Sequence, residues 1–528
     1  MKKVILMFIG FTMISIVSCT DDLNTVPKVQ LTLEELLAND PDAVNGIVSR
    51  LYASFALSGP NGAGSSDISD DPGESPFLRG IINLQEFTAD GMKNRWGDDG
   101  LDQLTTTSDW DGNNKFFRYL YNRAYYTIPQ CNNLLQVLNN ISVNNSEVIK
   151  GETRFLRALA YFYLIDAFGK GVLATEENLG QTNQLPEASR QELFDYVESE
   201  LLAIEPIMPE TNDYGRANRY VVNMLLAKLY LNAQVYTGTA RWDEAASHVN
   251  TIINEGGYSL EPNFVQLFSA DNHNSNEIIF PLIADAVNSQ SFGNTTYLVN
   301  GSLSPDTMPI TSFGATEGWQ GHRATEAWYG LFCGGVNTAN ELRNCNDIRS
   351  QLFWIGQNPE TLEDLHNFHM TDYREWTDGY PVTKFRNTNF VGTSTPTQFS
   401  STDFPLYRLA DVYLMYAELA LRGAAGTTMS DAVSYVNDVR ERSNASSITQ
   451  GQLTLDFIID ERARELNLEG HRRTDLIRFG KFTGGSYLWP WKGNAENGVS
   501  IPEYYNLFPI PEQALQANLN LEQNPGFN

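Results

Sequence analysis

Three stretches of this chain repeat one spacing of apolar residues, and that spacing constrains the fold more than anything else in the sequence. In RFLRALAYFYLIDAFG the residues are Leu156, Leu159, Ala160, Tyr163 and Ala167. In RYVVNMLLAKLYLNAQVY they are Val222, Leu225, Leu226, Leu229 and Ala233. In LYRLADVYLMYAELAL they are Leu409, Val412, Tyr413, Tyr416 and Ala420. Each set recurs at the period of a helix and puts its members on one face. The second stretch is followed closely by RWDEAASHVNTIINEG and the third by MSDAVSYVNDVRER, each with the pattern of a second, shorter helix. A helix, a turn and a second helix make a hairpin, which cannot bury its apolar face alone and must stack on others. Leu226-Ala-x-x-Tyr230 followed by Trp242-Asp-Glu-Ala245 fits a tetratricopeptide unit. Two further pairs are expected, 43–57 with 114–139 and 150–168 with 190–204.

The expected fold is therefore mainly α: tetratricopeptide-like helical hairpin repeats forming a right-handed scaffold over roughly 43–57, 114–260 and 405–482. Between them lie Gly-, Asn-, Ser- and Thr-rich stretches, roughly 58–112, 261–404 and 484–528. Their Trp, Tyr and Phe content is too high for disorder. They are expected to form a loop-rich cap carrying the ligand site, because long ordered loops on a rigid scaffold are where binding usually resides. Residues 43–528 then make one unit.

The first residues read as an address. Lys2 and Lys3 precede an apolar run from Val4 to Val17, too short to span a bilayer as a helix, which takes roughly 20 residues. The run ends at Ser18-Cys19, the pattern of a secretory signal over 1–18. Ile16-Val17-Ser18-Cys19 is similar to a bacterial lipobox, which makes Cys19 a lipid attachment point and 19–42 a lipidated N-terminus and tether. An ordinary signal peptide that happens to contain a cysteine is the alternative.

Composition narrows the partners. The net charge of −28 over 528 residues leaves no basic stripe for nucleic acid and repels anionic lipid head groups. The four cysteines form no CxxC or Cys/His cluster, so a zinc site is not expected. Cys333 and Cys345, twelve apart, are either a disulfide or two free thiols, and Cys131 belongs to an apolar helical stretch. The acidic run from Trp96 to Asp102 and ADNHNSNE at 270–277 lack the spacing of an EF-hand loop and read first as solvated loops. From Glu461 to Arg478, acids and bases alternate at helical spacings. A hydrolase could take a carboxylate pair from such a run, but the plainer reading is a structural ion-pair network.

In their order along the chain, RFLRALAYFYLIDAFGK, GRANRYVVNMLLAKLYLNAQVYTG, DFPLYRLADVYLMYAELAL, ERARELNLEGHRRTDLIRFGKF and LFPIPEQALQANLNLEQNPGFN resemble the SusD-like (RagB/SusD) outer-membrane lipoproteins of Bacteroidetes. The resemblance covers essentially the whole chain. It implies a helical repeat scaffold, a glycan-binding role at the cell surface facing outward, and a SusC-like TonB-dependent transporter as partner. Within the family, GESPFLRG, SFGNTTYLVNG and ATEGWQG resemble segments around the sugar site of the starch-binding founding member. That likeness implies that Trp96, Tyr297 and Trp319 form an aromatic arc for an α-glucan, with Arg79 bonding sugar hydroxyls. Where the founding member has a polar asparagine contact, this sequence offers Asp98 or Asp99.

Chemistry argues for the same residues. The C–H faces of sugar rings match the negative faces of aromatic rings, and adjacent Arg, Asp and Asn give direction to the hydroxyls. Trp96, Tyr297 and Trp319 all sit in Gly-rich, polar sequence; the alternative is that they are packing aromatics under long loops. With no nucleophile, metal cluster or tuned acid visible, the expectation is a binder of starch-type α-glucans, needing neither catalytic residue nor cofactor. A secreted glycoside hydrolase, a binder of β-glucan or fructan, and a peptide-binding scaffold are the rivals.

Overall fold

The computed structural model describes residues 31–69, 71–97 and 100–527. Cys19 and its surroundings, and Asp98 and Asp99, lie outside the described residues. The main helices, in chain order, are α1 (Val44–Ala56), α2 (Lys115–Leu138), α3 (Ser146–Ala167), α4 (Arg190–Ile204), α5 (Arg219–Leu231), α6 (Trp242–Glu255), α7 (Thr295–Ser302), α8 (Leu409–Leu421), α9 (Met429–Arg442), α10 (Leu455–Leu466) and α11 (Arg472–Arg478). Several begin where the sequence supplies a cap. Ser189 and Glu192 form a reciprocal capping box on α4, and the Asn218 side chain accepts from the Tyr220 and Val221 amides at the start of α5.

The helices pack as antiparallel neighbours: α2 on α3, α3 on α4, α5 on α6, α8 on α9. The hairpins then stack, α6 on α8 and α8 on α10. This is the tetratricopeptide-like arrangement the apolar spacing predicts. The pairing differs at the start, where α2 takes α3 as its main neighbour and α1 packs across both. The five spaced residues of the first two stretches are all buried, but so are most of their neighbours: from Phe155 to Ala167 every residue of α3 is buried. A central helix covered on all sides reads as apolar all round. Among the described residues no helix is long and apolar enough to cross a membrane.

The loop-rich segments are held by specific bonds. Cys333 and Cys345 form a disulfide, with Cα atoms 5.7 Å apart. Cys131 is a free, buried thiol whose pKa burial pushes up to about 12. Asp271, in the acidic stretch 270–277, accepts hydrogen bonds from the amides of Phe390 and Val391 and so ties two loops together. Among the described residues no group of three or more His, Cys, Asp and Glu side chains is placed to hold a metal.

The charged run from Glu461 to Arg478 is the clamp between scaffold and cap. Arg408 reaches Glu277 at 2.8 Å, Glu465 at 2.7 Å and Glu469 at 2.6 Å. Arg349 reaches Asp347 at 2.7 Å and both Glu461 and Glu465 at 2.9 Å. Lys384 meets Glu469 at 2.6 Å, and Arg472 pairs with Asp90 at 2.6 Å. Glu277, Asp347, Arg349 and Lys384 belong to the long loop-rich segment and Asp90 to the first one, while the partners lie on or beside α8, α10 and α11. Desolvation alone would penalise these carboxylates, but the guanidinium groups around them win: Glu461 is held down at about 2, and Glu465 lies well below the usual carboxylate range. Paired in this way, the carboxylates tie the cap to the scaffold.

Candidate functional site

A short antiparallel ribbon assembles the candidate site. Strand β1 (Met92–Asn94) pairs with β2 (His322–Ala324), with Asn94 opposite His322. Trp96 lies two residues beyond the end of β1 and Trp319 three residues before the start of β2. The ribbon thereby joins residues far apart in sequence: the Trp96 indole Nε1 donates to the Trp319 carbonyl oxygen at 3.2 Å. The Arg95 amide extends the ladder, donating to the Gly321 carbonyl at 3.0 Å.

The turn carrying Trp319 is fastened to the end of α7. The Trp319 amide donates to the Asn300 carbonyl at 2.7 Å, Gln320 to Leu303 at 3.0 Å, and Gly321 to Gly301 at 2.7 Å. Gln320 adopts φ 52°, uncommon for a residue with a side chain, and its amide is fixed by Ser304 Oγ at 3.0 Å and Asp306 Oδ2 at 2.6 Å. Gly321 has to be glycine: a Cβ there would lie 2.5 Å from the Trp96 ring.

Trp96 and Trp319 are both half-buried. Phe292, also half-buried, lies 6.4 Å from Trp319 between ring centroids and 4.9 Å from Phe399. Polar groups stand around these rings. Trp319 Nε1 donates to Glu317 Oε2 at 3.3 Å, and Glu317 also accepts from Gln398 at 2.9 Å. Arg79 is mostly buried, with its guanidinium carbon 6.0 Å from the centre of the Trp96 ring. It donates to the Gly73 carbonyl at 3.2 Å and pairs with Glu74 at 3.4 Å. Burial raises the pKa of Glu74 although Lys115 and Arg79 oppose the shift.

Tyr297 departs from its expected role in the aromatic arc. It is 0% exposed and lies beneath Trp96, with ring centroids 6.2 Å apart, so in this structure it offers no face to a ligand. Its hydroxyl donates to Asn83 Oδ1 at 2.7 Å, and the Arg79 guanidinium packs over its ring at 4.4 Å. The physical reason is its place on α7, a helix buried along its whole length. The sequence around it is polar, but the polar residues Thr295, Thr296 and Asn300 are themselves buried and bonded to the loop 398–402.

His322 completes the floor. It is fully buried against Phe87 (5.0 Å), Trp96 (5.5 Å) and Tyr297 (4.5 Å), and among the described residues neither ring nitrogen has a hydrogen-bond partner. Burial, followed by the charges of Arg79 and Arg323, depresses its pKa well below the histidine range and keeps the imidazole neutral. The structure therefore brings Trp96, Trp319, Arg79 and Tyr297 into one place, Tyr297 as support. Sequence reasoning missed Phe292, Glu74, Glu317 and His322; the first three stand inside the segments already singled out, but nothing in periodicity marks them.

The resulting surface is a row of partly exposed aromatic rings on a rigid buried base, with carboxylate, guanidinium and amide groups at its margin. It can stack flat apolar faces and bond hydroxyls.

Comparison with known proteins gives a consistent result. The family described as the SusD family matches residues 276–527, and one described as starch-binding, associating with the outer membrane, matches residues 83–231. The starch-binding protein SusD of Bacteroides thetaiotaomicron is 33% identical, over 97% of this chain and 96% of its own. SusD-like protein P25 of Formosa agariphila is 24% identical, over 98% and 97%. A SusD superfamily crystal structure from Parabacteroides distasonis matches with TM-score 0.70 and 21% identity, covering 94% of this chain and all of that one. Surface glycan-binding protein A of B. thetaiotaomicron, in complex with laminarihexaose, matches with TM-score 0.69 and 20% identity, covering 92% and 99%. The 33% identity over nearly the whole of both chains, with the family match over residues 276–527, makes this chain a member of the SusD family.

Proposed function

We propose that this protein is a surface glycan-binding lipoprotein that captures starch-type α-glucans and passes them to a TonB-dependent transporter in the outer membrane. The observation that carries the reading is the pairing of Trp96 with Trp319 on the β1–β2 ribbon. Two partly exposed indoles, fixed by backbone bonds and bordered by Arg79, Glu74 and Glu317, suit the alternating apolar and hydroxyl faces of a glucan. The 33% identity to a protein named for starch binding supports the choice of glycan. Asp98 and Asp99 are the proposed polar contacts beyond Trp96, and Cys19 the lipid anchor. Binding and hand-over need no bond cleavage, so the protein acts as a binder and not a hydrolase.

One specific observation favours a second reading, a different neutral glycan. A structural relative is described in complex with laminarihexaose. Electrophoresis through gels containing starch, laminarin, levan or pectin separates the two. Retardation in starch, lost on Trp319→Ala, supports the first reading; retardation only in another polysaccharide supports the second. Release of reducing ends during prolonged incubation with starch would instead indicate a hydrolase.

A further inference from the structure

A cavity of about 650 Å³ lies apart from the tryptophan ribbon, among the disulfide-closed loop, the end of α9 and the middle of α10. Its volume falls in the range of small-ligand sites, roughly 300–1,000 Å³. One wall is Gly330 to Gly335, held by the Cys333–Cys345 bridge. Gly334 and Gly335 have positive φ, and a Cβ on either would meet nothing within 4 Å, so this wall borders open space. The opposite wall carries Arg440, Asn444, Phe457, Asp460 and Arg464, and Asn346 adds a further amide.

The polar groups are positioned but incompletely used. Arg440 spends Nε on the Ser446 carbonyl and Nη1 on Glu461; Arg464 spends Nε on Glu461 and Nη1 on the Leu331 carbonyl. Each guanidinium carbon also rests 5.4 Å from the centre of the Phe457 ring. Both side chains are thus fixed, yet neither Nη2 has a hydrogen-bond partner among the described residues. The side chains of Asp460, Asn346 and Asn444 likewise make no hydrogen bond there. A pair of largely covered arginines alone would suggest an anion. Here Asp347, Asp460 and Glu461 balance Arg440, Arg464 and the Arg349 that shares Asp347 and Glu461, and the strongly negative chain repels anions at long range. Fixed donors and free acceptors at charge balance fit a neutral ligand whose groups both donate and accept.

We propose that this cavity is a second carbohydrate site, binding a neutral unit of mono- to trisaccharide size, with Arg440, Arg464, Asp460 and Asn444 as its polar contacts. It rests on the glycan-binding reading only in the choice of probe. Two fold-sparing substitutions test it. Asp460→Ala removes a carboxylate that accepts no hydrogen bond, and Asn444→Gly removes an amide at φ 57°, which glycine adopts without strain.

Saturation-transfer NMR with millimolar maltotriose, cellotriose or digalacturonate is run on the unaltered protein, on Trp319→Ala, and on Trp319→Ala combined with each substitution. The proposal expects a neutral-sugar signal to persist in Trp319→Ala and to fall at least fivefold when Asp460→Ala or Asn444→Gly is added. It is overturned if no neutral-sugar signal survives Trp319→Ala, if the surviving signal ignores both substitutions, or if digalacturonate gives the stronger one. Failure of the first site is distinct: Trp319→Ala would then leave the unaltered protein's binding where it was.

Discussion

Trp96 donates its indole hydrogen to the backbone carbonyl of Trp319, 223 positions away in sequence, at 3.2 Å. One ring is therefore oriented by the other residue's main chain. The two should respond differently to truncation. Trp319→Ala keeps the carbonyl and loses a half-buried side chain with its Nε1 bond to Glu317. It is expected to weaken glycan binding on the order of tenfold or more with little change in Tm. Trp96→Ala also uncovers Tyr297 and His322, so it should lower Tm as well. Thermal denaturation alongside calorimetry distinguishes the two outcomes.

Tyr297 supports the site from below. Tyr297→Phe leaves the ring in place and deprives Asn83 Oδ1 of its donor. A buried acceptor left unpaired costs about 1–3 kcal/mol. The expected result is lower stability to urea with glycan affinity within twofold of the unaltered protein. A large loss of affinity at unchanged stability would make Tyr297 a direct contact.

Gly321→Ala tests the fit of the ribbon. The added methyl meets the Trp96 ring at 2.5 Å, so the indole must tilt away from the Trp319 carbonyl. Affinity should fall severalfold, and tryptophan fluorescence should shift toward the solvent-exposed range. An unchanged spectrum and affinity would show that Trp96 can be placed without this glycine.

Acid should loosen the clamp before it affects the sugar site. Glu461 and Asp475 have folded pKa values near 2, below their ordinary 4.5 and 3.8. Such groups stabilise the fold above their unfolded pKa, and that stability is lost as pH falls from about 4.5 toward 2, about 3 kcal/mol for a shift the size of that of Glu461. Burial holds His366 and His471 down at about 4 and about 3, and holds His322 well below the ordinary histidine range. Their unfolded forms take up protons below 6.5, so a decline of comparable size begins there. Because neutral His322 does not titrate in the folded protein between pH 5.5 and 8, affinity should be flat over that interval. Denaturation midpoints and binding measured at the same pH values check both statements.

The helical hairpins could be read directly because a 3.6-residue period survives in Leu156 to Ala167 and Val222 to Ala233. Pairing partners could not. α3 is apolar on every side, so its periodicity does not say whether α1, α2 or α4 lies against it. The charge clamp was legible in part: spacing showed Glu461 and Glu465 on one helix, but Arg349, Lys384 and Arg408 arrive from segments without periodicity. At the site, Trp96 and Trp319 stood out as aromatics in polar sequence. The same signal did not show that Tyr297 is buried: its polar neighbours turn inward to bond a loop, and local sequence does not distinguish such residues from solvated ones. The disulfide, left open by spacing alone, depends on a turn at Cys333 with φ 51°, which no residue pattern announces.

The central claim is that the Trp96–Trp319 surface holds an α-glucan. Isothermal titration of the protein and of Trp319→Ala with maltoheptaose tests it most directly. The account predicts a measurable, modest affinity in the unaltered protein and a loss of tenfold or more in the variant, at equal Tm. Equal affinity in the two proteins would contradict it.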